Sequence, residues 1–351
     1  MADKLKVGIV GCGAVATLRH IPAFRRLKKN AVIQAVCDRN EDLALEVASK
    51  YKIPMAYAEL STMLSKEKLD IVNICTPPQT HTSLAMEAME QGCHVLLEKP
   101  MALKTSDCDE MINASYKHKV KLCVVHNQLF YSPFLKARKL VAEGAIGNFI
   151  GMRIFVSDPR DEMIMKKDYW VHKLPGGLIG ETGPHVVYMS LAFLNKVNIV
   201  DIYAKNFLEH PWAPFDEFRI ELEGENGLSS ILMSYSSNRR NCYVDILGTE
   251  GALHLDLNSM LLIHQGKRDS LKPVDLGRYS LGVAFQIIKG VAANAFKVST
   301  RSAKLGHDVI IERSVDSILN DQQPPVTGEE GRETTRVMKM IVERLQEKYG
   351  V

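Results

Sequence analysis

The chain has 351 residues, 46% hydrophobic and 24% charged, which suggests about two globular domains with a sizeable core in each. Its 44 basic and 41 acidic side chains leave a formal net charge of +3, too close to balance to imply a nucleic-acid or membrane partner. The seven cysteines form no C-x-x-C pair, which argues against a zinc or thioredoxin-type site, and no metal is expected. Several of them sit in apolar runs, as reduced thiols in a reducing compartment would. Cys12, in a loop rich in amide donors, is the one thiol whose pKa could be lowered.

The N-terminal apolar run breaks at Gly8 and Gly11, too early for a signal-peptide core. No stretch reads as long enough to span a membrane, so a soluble cytoplasmic protein is expected. The first third alternates short runs rich in Val and Ile (6–11, 31–38, 70–75, 94–100 and 121–127) with amphipathic stretches at 14–29, 40–51, 59–65, 80–91 and 105–118. Runs apolar on both faces are buried parallel strands, and strand–helix alternation predicts an α/β doubly wound sheet of Rossmann type. After residue 145 longer strand-like runs appear, separated by turns such as 224–227 and 248–251. With helices at 184–195, 283–298, 302–320 and 329–348, this second part reads as an α+β domain with a large, mostly antiparallel sheet. The expected division is 1–127 and 128–351, with a helix at 132–143 near the junction and the C-terminal helix able to pack back on the first domain.

Gly11, Cys12, Gly13, Ala14, Val15 and Ala16 follow the first strand and open a helix, as G-x-G-x-x-A. Gly11 suits a tight turn, Gly13 a close backbone approach to a pyrophosphate, and Ala16 close helix–strand packing. The helix N-terminus adds amide donors and a positive dipole end. Asp38 closes the second strand, where a carboxylate would bind ribose hydroxyls and repel a 2′-phosphate. NAD is therefore the expected cofactor. Arg39, next to it, leaves NADP open. Thr76, Pro77, Pro78 and His81 form a stiffened loop at a strand's carboxyl end, where cofactor contacts fall; His81 could instead cap the following helix. Glu98, Lys99 and Pro100 end another strand, and Lys99 reads either as a nicotinamide-side lysine or as a surface one.

In the second part, residues 175–185 read PGGLIGETGPH, with a helix expected to begin near Pro184. Glu181 and His185 stand four apart, an acid–imidazole pair suited to proton transfer or simply a buried hydrogen-bonded pair. Trp170, His172 and Lys173 precede this run as candidate substrate residues or ordinary loop residues. Arg160, Lys166, Lys167 and Lys173 weakly suggest an anionic substrate.

Taken together, these residues resemble the glucose–fructose oxidoreductase / inositol dehydrogenase (Gfo/Idh/MocA) family over essentially the whole chain. The resemblance takes in the turn at 11–16, Asp38, Thr76-Pro77 and His81, Glu98-Lys99-Pro100, Asn127, the segment ending at His185, and the stretch 324–331. It implies NAD(P)-dependent oxidation of a hydroxyl on a sugar, cyclic polyol or sugar nucleotide. It implies that Lys99 contacts nicotinamide and substrate, that His185 is the general base, and that Glu181 stands where many members carry aspartate. Glu98 and Asn127 join the cofactor residues on the same ground. The resemblance further implies a homodimer or homotetramer joined through the open face of the second sheet. Two alternatives stay open: an NAD-dependent glycoside hydrolase that oxidises its sugar transiently, and a non-catalytic cofactor-binding regulator.

Overall fold

Residues rich in Val, Ile and Ala form the strands expected of them, and the register of those strands decides which loops meet. The computed structural model describes residues 4–158, 166–267 and 272–350. It divides into two units: the chain up to Asn127 together with Lys304–Arg336, and Gln128–Ala303 together with the chain from Val337 onward.

The first unit holds β1 (Leu5–Val10), α1 (Ile21–Arg26), β2 (Ala31–Cys37), α2 (Glu41–Tyr51), β3 (Met55–Tyr57), α3 (Leu60–Lys66), β4 (Ile71–Ile74), α4 (His81–Glu90), β5 (His94–Leu97), α5 (Thr105–His118) and β6 (Leu122–Val124). All six strands are parallel, in the order β3-β2-β1-β4-β5-β6. The order reverses between β1 and β4, the position where such sheets open a crevice at their carboxyl ends. Val10 pairs with both Cys37 and Ile74, so the turn at Gly11, Asp38 and the loop at Thr76 leave the sheet side by side. The first helix does not run to 29 as expected. A π-helical turn, Ala16–His20, precedes α1, which stops at Arg26.

The second unit begins with α6 (Ser132–Ala142) and β7 (Phe149–Ser157). It continues through α7 (Leu178–Leu194), β8 (Val197–Lys205), β9 (Glu217–Gly224), β10 (Gly227–Ser234), β11 (Asn241–Gly248), β12 (Gly251–Asp256), β13 (Leu261–Gly266) and α8 (Pro273–Ser299). The seven strands lie in the order β13-β12-β11-β7-β10-β9-β8. Only β7 and β10 are parallel neighbours; the other pairs are antiparallel. Alternation buries Met152, Ile154, Ile231, Val244, Ile246, Leu253 and Leu255 on one face, which α7 covers with Val186, Val187 and Met189. The other face carries Arg153 paired to Asp245, with exposed Ile150, Leu228 and Ile199 around them. Finally α9 (Gly306–Leu319) belongs to the first unit, and α10 (Gly328–Tyr349) changes unit after Arg336.

Two helices correct the sequence reading. First, α7 begins at Leu178, not near Pro184, which lies inside it. Gly176 and Gly177 take φ of +79° and +61°, a left-handed bend that sets the helix start. An added Cβ on Gly180 would lie 2.4 Å from the Pro175 carbonyl oxygen, so the first turn needs glycine there. Second, α8 begins ten residues before the expected 283 and contains an 18-residue window of mean hydropathy 1.3. It is thus long and apolar enough to cross a membrane, against the expectation that no stretch is. Arg278, Lys289 and several glycines interrupt the apolar run in the sequence, and only helical continuity unites its parts.

Candidate active site

In the first unit the Gly11 turn is held from both sides. The Gly11 amide donates to the Cys37 carbonyl (2.8 Å) and the Cys75 amide to the Val10 carbonyl (2.7 Å). Gly11 has φ +90°, and an added Cβ would lie 2.8 Å from the Cys75 backbone. Gly13 faces open space, with nothing within 4 Å of an added Cβ. Ala14 and Val15 open the helix beside it, where the first amides have no intrahelical acceptor. Such a cradle of free donors over a side-chain-free position fits a dinucleotide pyrophosphate. Asp38 stands next to it: the Cys12 amide donates to its Oδ2 (2.8 Å) and the Asn40 amide to its Oδ1 (2.9 Å). Arg39 is exposed.

Cys12 does not have the lowered pKa considered for it. Burial, then the Asp38 carboxylate, push its thiol up to about 12. Cys12 is 2% exposed and its sulfur lies against the Cys37 carbonyl, so its side chain does not face the cradle. Ala16 is fully buried and packs the helix on the sheet.

Thr76 is half-buried and Pro77 exposed, on the loop after β4, and the Thr80 hydroxyl donates to the Thr76 hydroxyl (2.8 Å). Pro78 is buried. His81 is fully buried, its Nδ1 3.0 Å from the Pro100 carbonyl and its Nε2 2.8 Å from the Thr76 carbonyl. It pins two loops together, and no side-chain surface is left for a cofactor.

Glu98 is likewise turned inward, 6% exposed. His20 Nε2 lies 2.8 Å and His307 Nε2 3.5 Å from its Oε1, while the Lys99 amide donates to its Oε2 (3.1 Å). The π-helical turn aims His20 into this cluster, where its Nδ1 donates to Asn73 Oδ1 (2.9 Å). Burial opposes charge on His20, but the Cys75 sulfur and the Glu98 carboxylate outweigh it and hold the imidazole well above the ordinary histidine range. Burial likewise opposes charge on Glu98, but the two histidines hold its carboxyl well below the ordinary range. The cluster is therefore a buried ion pair. Its three ligand-type atoms lie within 4.8 Å of one another, as in a metal triad. The His20 Nδ1 faces Asn73 and its Nε2 faces Glu98, so both ring nitrogens have a protein partner. The result is a rigid base for Lys99, which is half-buried. Neither His20 nor His307 was foreseen.

Asn127 is 5% exposed at the start of a short 3₁₀ turn, and His126 beside it is 2% exposed. Burial pushes His126 down to about 3, with the Glu98 carboxylate partly opposing. Its folded pKa is depressed, so its stabilising contribution is complete above the unfolded value of about 6.5 and is lost as pH falls toward about 3. This one residue should cost about 2 kcal/mol between pH 7 and pH 5; His81, lowered by burial too, acts in the same direction. Urea unfolding at the two pH values is expected to show a smaller loss for His126→Asn than for the wild type. Equal losses would refute the assignment.

In the second unit, α7 presents Glu181 and His185 four residues apart, both half-buried. His185 Nδ1 lies 2.6 Å from the Tyr188 hydroxyl, which also accepts the Gln128 amide (3.1 Å). Tyr188, unforeseen, was legible as the i+3 neighbour of His185 on one helix face. The Gln128 side-chain oxygen and both ring nitrogens of His172 are buried without a hydrogen-bond partner among the described residues. Buried polar atoms are rarely left so in a finished core. Trp170 is half-buried on the same short 3₁₀ turn as His172; Lys166, Lys167 and Lys173 are exposed. Arg160 lies outside the described residues.

The fold is that of a dinucleotide-dependent dehydrogenase. Residues 5–126 match the oxidoreductase family with NAD-binding Rossmann fold, and residues 134–254 match the GFO/IDH/MocA C-terminal domain. The chain belongs to the Gfo/Idh/MocA oxidoreductase family.

It is 24% identical to the uncharacterized oxidoreductase YrbE of Bacillus subtilis, over 98% of this chain and 95% of that protein. It is 24% identical to scyllo-inositol 2-dehydrogenase (NADP(+)) IolW of the same organism, over 99% and 96%. The match to oxidoreductase P35 of Formosa agariphila is 28% identical and spans 56% of this chain but 63% of that protein. Among solved structures, the WlbA dehydrogenase of Bordetella pertussis in complex with NADH and UDP-GlcNAcA superposes with a TM-score of 0.80 at 20% identity, over 99% of this chain and 98% of that one.

Proposed function

We propose that the protein moves hydride between a hydroxyl-bearing carbon of a sugar, cyclic polyol or sugar nucleotide and the nicotinamide of NAD. The observation that carries this reading is the orphaned Gln128 oxygen and His172 nitrogens in the same unit as the His185–Tyr188 pair. A hydroxyl-rich ligand supplies the donors and acceptors these atoms lack. With Nδ1–H donating to the Tyr188 oxygen, His185 Nε2 keeps a lone pair and takes the substrate's hydroxyl proton. Lys99, its backbone fixed by Glu98, places an ammonium against the developing alkoxide. Glu181, four residues before His185 on α7, is the acid this reading pairs with the imidazole. When bound, NAD supplies the hydride acceptor.

Support for the substrate class comes from relatives named as inositol and glucoside dehydrogenases. A screen of inositols, free sugars and sugar nucleotides, followed by reduced-nicotinamide absorbance, is expected to find a substrate giving net NADH. Cleavage of a glycoside without net NADH would overturn the dehydrogenase reading in favour of a hydrolase.

Asp38 gives the cofactor preference. Its carboxylate is held beside the turn by two amides, where a 2′-phosphate would meet like charge. Calorimetry is expected to show tighter binding of NAD than NADP, with the gap narrowed in Asp38→Ala. Stronger NADP binding by the wild type would point to Arg39 instead. A homodimer or homotetramer through the outer sheet face, where Ile150, Leu228 and Ile199 are exposed, belongs to the same reading.

A further inference from the structure

Helix α8 leaves its larger apolar side uncovered. The side toward its own unit mixes the half-buried Leu276, Tyr279 and Val283 with two amides, Gln286 and Asn294. The Gln286 side chain accepts the His264 amide (2.9 Å) and donates to the His264 carbonyl (3.0 Å), closing part of the free edge of β13. Asn294 donates to the carbonyls of Ser259 (2.9 Å) and Met260 (3.1 Å). Gly290 lies against Leu261 with no room for a side chain. The side away from the sheet is apolar. Leu281, Phe285, Ile288 and Phe296 are 72%, 66%, 67% and 68% exposed, and no residue of the helix is buried. Leu281, Phe285, Ile288, Ala292 and Phe296 recur at helical spacing, so they form one stripe along a helix about 40 Å long.

Charge says what covers this stripe. Between Lys272 and Arg301 lie five basic residues and one acidic residue, Asp275, so this segment alone carries more net positive charge than the whole chain. Arg278 and Lys289 project beside the apolar stripe, and Arg278, Lys289 and Lys297 are exposed with no ion pair among the described residues. A second copy of this segment would bring the same five cations against a single carboxylate, Asp275. A bilayer with anionic lipids supplies both an apolar interior and phosphates at its rim. The hydrogen bonds to residues 259–264 tie α8 to the sheet edge, so it lies flat and does not cross.

We propose that α8 docks the protein on the surface of an anionic lipid bilayer, with Leu281, Phe285 and Ile288 in the acyl boundary and Arg278 and Lys289 at the phosphates. This makes the protein peripheral to a membrane, against the sequence-based expectation of no membrane partner.

The test is co-sedimentation of the full chain with vesicles of phosphatidylglycerol and phosphatidylcholine in equal parts, and with phosphatidylcholine alone. The wild type is expected to sediment with the first and not the second, and less so at high salt. Each cation near the surface is worth about fivefold in partitioning, so the combined Arg278→Gln, Lys289→Gln variant should lose on the order of twentyfold. The combined Leu281→Ser, Phe285→Ser, Ile288→Ser variant should lose at least about tenfold. Unchanged far-ultraviolet circular dichroism and NAD binding would show that both remain folded. Equal binding to both vesicles, or unchanged binding by either variant, would overturn the proposal. So would a soluble wild type whose self-association is dispersed by the serine substitutions, which would assign the stripe to a second copy.

Discussion

His185→Ala is expected to lower turnover on the true substrate by about two to four orders of magnitude, the usual worth of a positioned general base, while NAD affinity stays within about twofold. The residue sits on α7 of the second unit, and the glycine turn and Asp38 belong to the first. Lys99→Ala should cost a comparable factor in turnover and weaken NAD as well. Tyr188→Phe distinguishes positioning from packing. It keeps the ring and removes the oxygen 2.6 Å from His185 Nδ1, so the tautomer and orientation of the imidazole lose their guide. Its expected signature is a shifted acid limb in the pH profile of kcat with KM little changed. Glu181→Gln should cost less than either alanine variant. A folded, NAD-binding His185→Ala that keeps near wild-type turnover across roughly pH 6–9 would show that the base lies elsewhere.

How much of this was legible in the sequence depends on the range of the interaction. The parallel sheet was legible because buried strands write themselves as apolar runs. β3 escaped because three residues carry no periodicity, and β13 because His264 and Gln265 interrupt its apolar start. The start of α7 was misread for a physical reason. Proline favours the first helical turn, so Pro184 drew the boundary toward itself, while the positive φ of Gly176 and Gly177 had already set it at 178.

Candidate site residues divide the same way. Gly11, Gly13 and Asp38 share one turn and a neighbouring strand end, and a local motif describes them. The His20–Glu98–His307 cluster joins positions 78 and 209 residues apart in sequence, and no spacing rule reaches that far. Read alone, Glu98 looked like a cofactor contact. In the fold its carboxylate faces His20 and His307, and its Oε2 accepts the Lys99 amide. α8 misled in the opposite sense. Its apolar residues were visible, but an amphipathic helix is ordinarily read with its apolar side inward, and here Leu281, Phe285, Ile288 and Phe296 stay exposed.

The two glycines of the turn separate folding from cofactor binding, and their alanine variants are expected to fail differently. At Gly11 the backbone has φ +90°, and a Cβ would sit 2.8 Å from the Cys75 carbonyl group, a backbone atom that cannot swing away. Gly11→Ala should therefore destabilise the free protein by roughly 2–4 kcal/mol through conformational strain and overpacking, and lose NAD because the turn must move. At Gly13 a Cβ meets nothing within 4 Å and the backbone is not left-handed, so Gly13→Ala should leave the unfolding midpoint of the free protein nearly unchanged. The space it fills is the one a pyrophosphate needs to reach the amides of Gly13, Ala14 and Val15. Losing one or two charge-assisted hydrogen bonds there should weaken NAD on the order of tenfold to a hundredfold. Thermal unfolding without cofactor, set beside calorimetry with NAD, reads the two effects apart. If Gly13→Ala bound NAD as the wild type does, the pyrophosphate would not lie over this turn, and the cofactor assignment of residues 11–16 would fall with it.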